Sequence, residues 1–404
     1  MKNNIPQGYK ATALGIIPQE WETIRLKDCF SISAGGDVQK DCFSETPSLQ
    51  YKYPIYSNSL FNHGLYGFTS HPRHKANSIT ITGRGALGHA EYRETDFDAI
   101  VRLLVLAPKI PLNGQYITEY INFRKPFFYE STGVPQLTAP QIANIQVLFP
   151  PLAEQQKIAE LLGVWDEVIE KQARLIEKLA LRKRALMQRL LSAKLRLPGF
   201  SEPWKKVKLG DIGDTYNGLS GKNKDDFEYG NAQFIPYINV FSNERIDTNN
   251  LGCVQIEPNE QQNTVKYGDI FFTVSSETPD EVGMASVLLE HLDNTYLNSF
   301  CFGYRLNDFS TLNPFFAAYL FRTEHFRNYM SVLAQGSTRF NISKKEVMKL
   351  KIDLPTIEEQ TAIAEVLTAA DREIELAKEK LDRLRRQKRG LMQQLLTGKK
   401  RVKY

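Results

Sequence analysis

Hydrophobic and polar positions along this chain follow two different periods. Over Ile158, Leu162, Trp165, Ile169, Gln172, Ile176, Leu179, Lys183, Leu186 and Leu190 the seam positions recur at alternating steps of four and three. The same steps recur over Ile363, Leu367, Ala370, Ile374, Ala377, Leu381, Leu384, Lys388, Leu391 and Leu395. That spacing is the a/d period of a coiled coil. Each stretch predicts a helix of roughly 40 residues, on the order of 60 Å long. A helix of an ordinary bundle averages three or four turns, so two such seams in one chain most simply pair with each other. Lys183 and Lys388 interrupt the seams at equivalent places, which sets register at some cost in stability. Elsewhere short apolar runs predict strands, SITIT (78–82), IVRLLVLA (100–107) and GDIFFTV (268–274), separated by turn-rich loops.

The two helical stretches are copies. FPPLAEQQKIAELL (149–162) aligns with LPTIEEQTAIAEVL (354–367), and the match continues without a gap to LMQRLLSAK (186–194) and LMQQLLTGK (391–399). Register kept through every turn means helix, and Pro150, Pro151 and Pro355 stand just before the start, where proline is tolerated. The repeat also extends upstream, because Trp21, Leu26 and Asp28 match Trp204, Leu209 and Asp211. After each of these openings come about 120 to 140 residues with little mutual similarity. The predicted order is therefore globule (1–150), helix (151–196), globule (197–355) and helix (356–404).

Composition narrows the class without deciding it. The 404 residues exceed what one core usually serves. A net charge of +5 favours a polyanionic partner only mildly, so charge placement matters more than the total. The N-terminal MKNNIPQGYKATALG lacks the apolar core of a signal peptide. No run of ~18 apolar residues predicts a membrane span. Cys29, Cys42, Cys253 and Cys301 are scattered with no CxxC, which argues for a reducing cytoplasm and against a zinc site. His71 and His74 form an HxxH with Pro72 inside it and no nearby cysteine, a poor ligand set.

From about Gly15 onward the chain resembles the specificity subunit of type I restriction-modification systems. The residues carrying the likeness are the paired P-x-x-E-Q-x-x-I-A-E-x-L helix entries, the LMQ-x-LL exits and the twin W-x-x-(I/V)-(R/K)-L-x-D openings. KYPIYSNSLFNHGLYGF (52–68) and QFIPYINV (233–240) also look like early strands of that family's target-recognition domains. The resemblance implies an α+β fold of two mixed α/β target-recognition domains. Two long antiparallel helices would separate them as a coiled-coil spacer, the whole being a pseudo-twofold repeat. It implies that each globule reads half of a split double-stranded DNA site, and that the helices bind two modification subunits. S-adenosylmethionine, and ATP with Mg, would then sit on the modification and restriction subunits, this chain binding no cofactor and no metal. A coiled-coil DNA-binding tether without sequence specificity is the alternative.

Two catalytic look-alikes fail on their context. Gly83, Gly85 and Gly88 spell GxGxxG after SITIT, but HAEYRETDF follows with no helical period and no acidic residue ~20 positions on. A hairpin that lets backbone approach DNA fits better. NPFF (313–316) lacks the second proline of the adenine methyltransferase tetrad, and Asn313 with Pro314 explains it as the start of an amphipathic helix, FFAAYLFRTEHF. Neither suggests that the chain is an enzyme.

Candidate DNA contacts lie in HPRHK (71–75), SGKNK (220–224) and GSTRFNISKK (336–345). Arg73, Lys75, Lys222, Lys224, Arg339, Lys344 and Lys345 can neutralise phosphates, which supplies sequence-independent affinity. Arg84, Gln136, Asn239 and Asn341 are types able to read base edges. The basic clusters late in the helices, RKR (182–184) and RLRRQKR (383–389), are explained mostly by the helix dipole.

Overall fold

A computed structural model describes residues 5–125 and 135–403. The first four residues of the N-terminal stretch judged above therefore lie outside the described residues. The chain divides into two compact units, 1–174 with 379–404, and 175–378. These boundaries cut through both long helices, Leu152–Leu190 and Ile357–Leu395. Each unit thus holds one globule, the first half of one helix and the second half of the other.

In the first unit a four-stranded antiparallel sheet runs in the order Phe30–Ala34, Leu104–Pro108, Ser78–Ile81, Ala90–Arg93. Ile79, Ile81, Leu104 and Leu106 turn one face into the core, where Tyr116, Ile117 and Tyr120 of the helix Gly114–Arg124 meet it. A second small sheet is built around Tyr53–Tyr56 and Leu65–Thr69. Glu22–Arg25 pairs with Gln146–Phe149, bringing the opening of the globule back beside the helix entry.

The second unit repeats the plan. Its main sheet runs Gly213–Asn217, Cys301–Leu306, Ile270–Thr273, Ala285–Val287, again antiparallel throughout. Lys205–Lys208 pairs with Lys351–Leu354 as Glu22–Arg25 does with its partner. A three-stranded sheet around Phe227–Ile235 replaces the first unit's second sheet.

Three sequence expectations need correction. The run 100–107 is a strand only from Leu104, because Val101 (φ 52°) and Arg102 (φ 59°) make a left-handed turn. PYINV does not continue its strand, since Pro236 ends the ladder and Tyr237–Ser242 is helical. FFAAYLFRTEHF is two helices, Pro314–Leu320 and Glu324–Leu333, the second capped afresh where Thr323 accepts from Phe326 N at 3.3 Å.

In each unit the two half-helices run antiparallel and are tied by the same devices. All twenty seam positions are buried or half-buried, and Ile158, Leu162, Leu190, Leu367, Lys183 and Lys388 are among those tied into the units. Each leucine so covered is worth roughly 1.5–3 kcal/mol. Lys388 Nζ meets Asp166 Oδ1 at 2.6 Å and Glu119 Oε2 at 3.0 Å. In the other unit Lys183 Nζ meets Asp371 at 2.7 Å and Glu244 at 2.9 Å. Polar interruptions of the seam are thus neutralised by the facing helix.

The helix entries are fastened to the globules in a repeated way. Asn113 caps its helix by accepting from Tyr116 N at 2.9 Å, while its own N–H donates to Gln155 Oε1 at 3.0 Å. Asn313 does the same with Phe315 N at 2.8 Å and Gln360 Oε1 at 2.9 Å. Buried Glu154 accepts from Trp21 Nε1 (2.9 Å) and from Arg401 Nε (2.7 Å). Its counterpart Glu359 accepts from Arg196 Nε (2.6 Å), but the buried Nε1 of Trp204 finds no partner. Left-handed residues end both helices, Ala193 (φ 57°) and Gly398 (φ 71°). Only glycine fits the second place, since a Cβ on Gly398 would lie 2.4 Å from Pro18 Cδ.

Candidate nucleic-acid interface

In both units one loop junction gathers exposed polar side chains at the end of the main sheet. In the first unit it is the hairpin between Ser78–Ile81 and Ala90–Arg93. Thr82 accepts from His89 N through its hydroxyl at 2.9 Å and from Gly88 N through its carbonyl at 2.8 Å, closing the loop on itself. Gly85 (φ 67°) and Gly88 (φ 77°) supply the left-handed corners that let it close. Asn58 Oδ1 accepts from Gly83 N at 2.7 Å, and Leu137 N donates to Gly83 O at 2.9 Å. The GxGxxG is therefore the tip of an antiparallel hairpin. Among the described residues, no helix opens between Gly88 and Gly114, whereas a dinucleotide fold needs one there.

That junction brings Arg84 and Gln136 together: Arg84 Nη2 donates to Gln136 Oε1 at 3.2 Å, both being exposed. With that oxygen occupied, the pair offers chiefly N–H donors outward. Exposed Arg102 lies on the neighbouring left-handed turn, its carbonyl oxygen 3.3 Å from where a Cβ on Gly83 would be. The run IVRLLVLA hid it, because an apolar strand pattern gives no sign of a φ > 0 turn.

The second unit places its own junction between Ile270–Thr273 and Ala285–Val287. There Ser275–Ser276 pairs with Phe340–Asn341. Asn341, paired in that ladder, and Arg339, just before it, are exposed, and Asn341 Nδ2 donates to the Arg339 carbonyl at 3.4 Å. Sequence reasoning missed exposed Glu277, which follows Ser276 on the opposite strand; its signal would have been the strand pairing itself.

Other candidates fare differently. Lys75 is 87% exposed and touches Asp96 at 3.0 Å, a weak surface pair that leaves it free to meet a phosphate. Lys224 and Lys345 are exposed as well. Lys344 is half-buried, hydrogen-bonded to Asn217 and over the Phe302 ring, and burial holds its pKa below the usual lysine range. Three candidates are corrected. Arg73 is latched to buried Asp98 at 2.6 Å and to the carbonyls of Asp37 and Ala99. Lys222, its side chain 3% exposed, is neutralised by Glu260 at 2.5 Å. Asn239 is fully buried, holding the loop at Asp247 and Asn250 through their carbonyls at 2.9 and 2.8 Å. The partners of Arg73, which stays exposed, and of Lys222 are distant in sequence, and the loop carrying Asn239 folds inward.

The HxxH splits apart chemically. His74 stacks on Phe97 at 5.3 Å with its pKa lowered by burial, and His71 is exposed beside Ser70. Among the described residues no group of metal-ligating side chains forms. Asn313 and Pro314 open a helix, as the capping distances above record. Among the described residues no helix is long and apolar enough to cross a membrane.

The family model for the type I restriction modification DNA specificity domain matches the chain twice, over residues 18–181 and 201–386. The chain is 24% identical over 415 residues to the MjaVIII type I restriction enzyme specificity subunit of Methanocaldococcus jannaschii, covering 96% of this chain and 94% of that one. In fold it is similar to the crystal structure of a type I restriction-modification S subunit from M. genitalium. That likeness has a TM-score of 0.58 at 16% identity, over 98% and 97% of the two chains. A second fold likeness, with a TM-score of 0.60 at 19% identity over 95% and 99%, is to a chain from work on complex assembly and conformational transition of the type I R-M system.

Proposed function

The chain belongs to the type I restriction-modification DNA specificity family, carrying its domain twice, and on that premise we propose how the work is divided. Each globule reads one half of a bipartite duplex site through its loop junction. The long helices set the unread spacer and dock two modification subunits, through which restriction subunits join. The chain itself catalyses nothing. S-adenosylmethionine is held by the modification subunits, ATP and Mg by the restriction subunits, and the assembly works in the cytoplasm.

The observation that carries this reading is the recurrence of one junction in both units. In the first unit Arg84 stands on the loop after Ser78–Ile81 and Gln136 on the segment that meets it, and in the second Arg339 and Asn341 stand on the segment that meets the loop after Ile270–Thr273. Between these junctions and the helices the two units repeat their devices, Asn113–Gln155 as Asn313–Gln360 and Lys388–Asp166 as Lys183–Asp371. Repeated scaffolds under differing reader residues suit two different half-sites presented to two identical partners.

Selection from a pool of random duplexes tests it. The chain with its modification subunit should enrich a split consensus, and Arg84→Ala should relax a guanine in one half only, since arginine pairs bidentately with guanine O6 and N7. A continuous consensus, or none, overturns the reading. Tight S-adenosylmethionine binding by the chain alone would overturn the division of labour.

A further inference from the structure

The ladder of Ser275–Ser276 with Phe340–Asn341 ends at the Ser276–Phe340 pair, and Glu277 and Arg339 are the next residues on the two segments, each in a bend. Opposite charges this near the end of one ladder could be expected to join. They do not join here: neither side chain has an ion-pair or hydrogen-bond partner, and both are exposed. Instead both line one concavity of about 410 Å³, together with Phe300, which is 59% exposed, and Tyr237 stacked on Phe241 at 5.8 Å. One oxygen of the neighbouring carboxylate, Glu281 Oε2, accepts from Ser276 and Thr278.

An open carboxylate on a surface that meets DNA is unfavourable against phosphates. It becomes favourable only where it accepts from a base amino group, which in the major groove means cytosine N4 before others. Arginine has the reverse preference, giving two donors to guanine O6 and N7. A C·G pair shows both edges side by side in one groove. We propose that Glu277 and Arg339 together read one C·G base pair of the second half-site, Glu277 taking cytosine N4 and Arg339 taking guanine O6 and N7. The first unit's junction pairs Arg84 with neutral Gln136 rather than with a carboxylate. The two halves therefore demand different sequences at their junctions. This inference rests on the DNA-reading function proposed above.

The test is random-duplex selection by the assembled chain and modification subunit, with wild type, Glu277→Gln and Arg339→Ala compared. Both variants should relax the same single C·G position, each losing roughly 10- to 100-fold of discrimination there. The first half-site must persist in each, which controls for folding and assembly. The proposal is overturned if the variants relax different positions, relax none, or weaken all sequences equally. If wild type enriches no split site, the DNA-reading function itself has failed, a result visible before any variant is made.

Discussion

Lys388 reaches across from the second long helix to Asp166 of the first, 2.6 Å away, inside an otherwise apolar seam. Glu119, 8% exposed, closes the same lysine from the globule side. Burial raises the pKa of Glu119, the lysine lowers it and Asp166 raises it again. The lysine thus holds two carboxylates that would otherwise repel each other in a half-dry site.

Lys388→Met should cost about 3 kcal/mol, the low end of the range for stripping a partner from a buried pair, because Asp166 is 46% exposed. Lys183→Met should cost less, because Glu244 and Asp371 are 32% and 33% exposed and can rehydrate. The pH dependence has a definite sign. A carboxyl with a folded pKa above its unfolded one binds more protons when folded, so it opposes folding as pH rises through that window. Without Lys388 the window moves up further, and the loss should be larger at pH 8 than at pH 5. Urea unfolding at both pH values measures it; equal losses would show that Glu119 does not titrate in the pair.

Trp21→Phe and Trp204→Phe should separate. Trp21 Nε1 donates to a fully buried carboxylate, and its removal should cost about 1–3 kcal/mol. Trp204 Nε1 is buried with no partner, so its replacement leaves no acceptor unpaired and should cost less than that of Trp21. Thermal unfolding of the two single variants decides the order.

Lysines should sort by what already neutralises them. Lys224→Ala and Lys345→Ala should each lower the slope of log affinity against log salt by about 1. Lys222→Ala should leave that slope alone and instead lose about 2 kcal/mol of stability, because its charge is spent on Glu260. Titrations of one duplex at several salt concentrations give all three slopes.

A fragment ending at Arg196 should dimerise. It loses Met392, Leu395, Leu396 and Arg401 from the first unit's core, but carries Met187, Leu190, Leu191 and Arg196 at the matching repeat positions. A second fragment can supply those to Glu154 and Leu162, giving a true twofold. With modification subunit present, it should methylate inverted repeats of the first half-site. A fragment strictly monomeric by sedimentation at high concentration would show that the halves are not interchangeable.

The long helices were legible because a period of 3.5 repeated over ten seam positions outweighs any local ambiguity, and because Lys183 and Lys388 fell at matching phases. What neutralised those lysines was not, since Asp166, Asp371, Glu119 and Glu244 lie on other elements. The hairpin at Gly83–Gly88 could be anticipated from glycine and flanking strands. Arg84 beside Gln136 could not, because 52 residues separate them and only the folded sheet joins them. Asn239 misled for the converse reason: composition marks a residue as able to read a base, while burial alone decides whether it faces one.

The shared helices also order events in time. Residues 1–174 emerge from the ribosome with their core open, because Met392, Leu395 and Leu396, which complete it, are made only after the second globule. At 5–20 residues per second the wait is roughly 10–45 s. Throughout it Glu154 lacks Arg401 and the apolar stripe of the first helix is uncovered. Nascent chains should therefore depend on holdase chaperones until a closing segment is supplied. The segment that closes the first unit is made after the whole second globule, so native assembly of the first unit waits on synthesis of its neighbour.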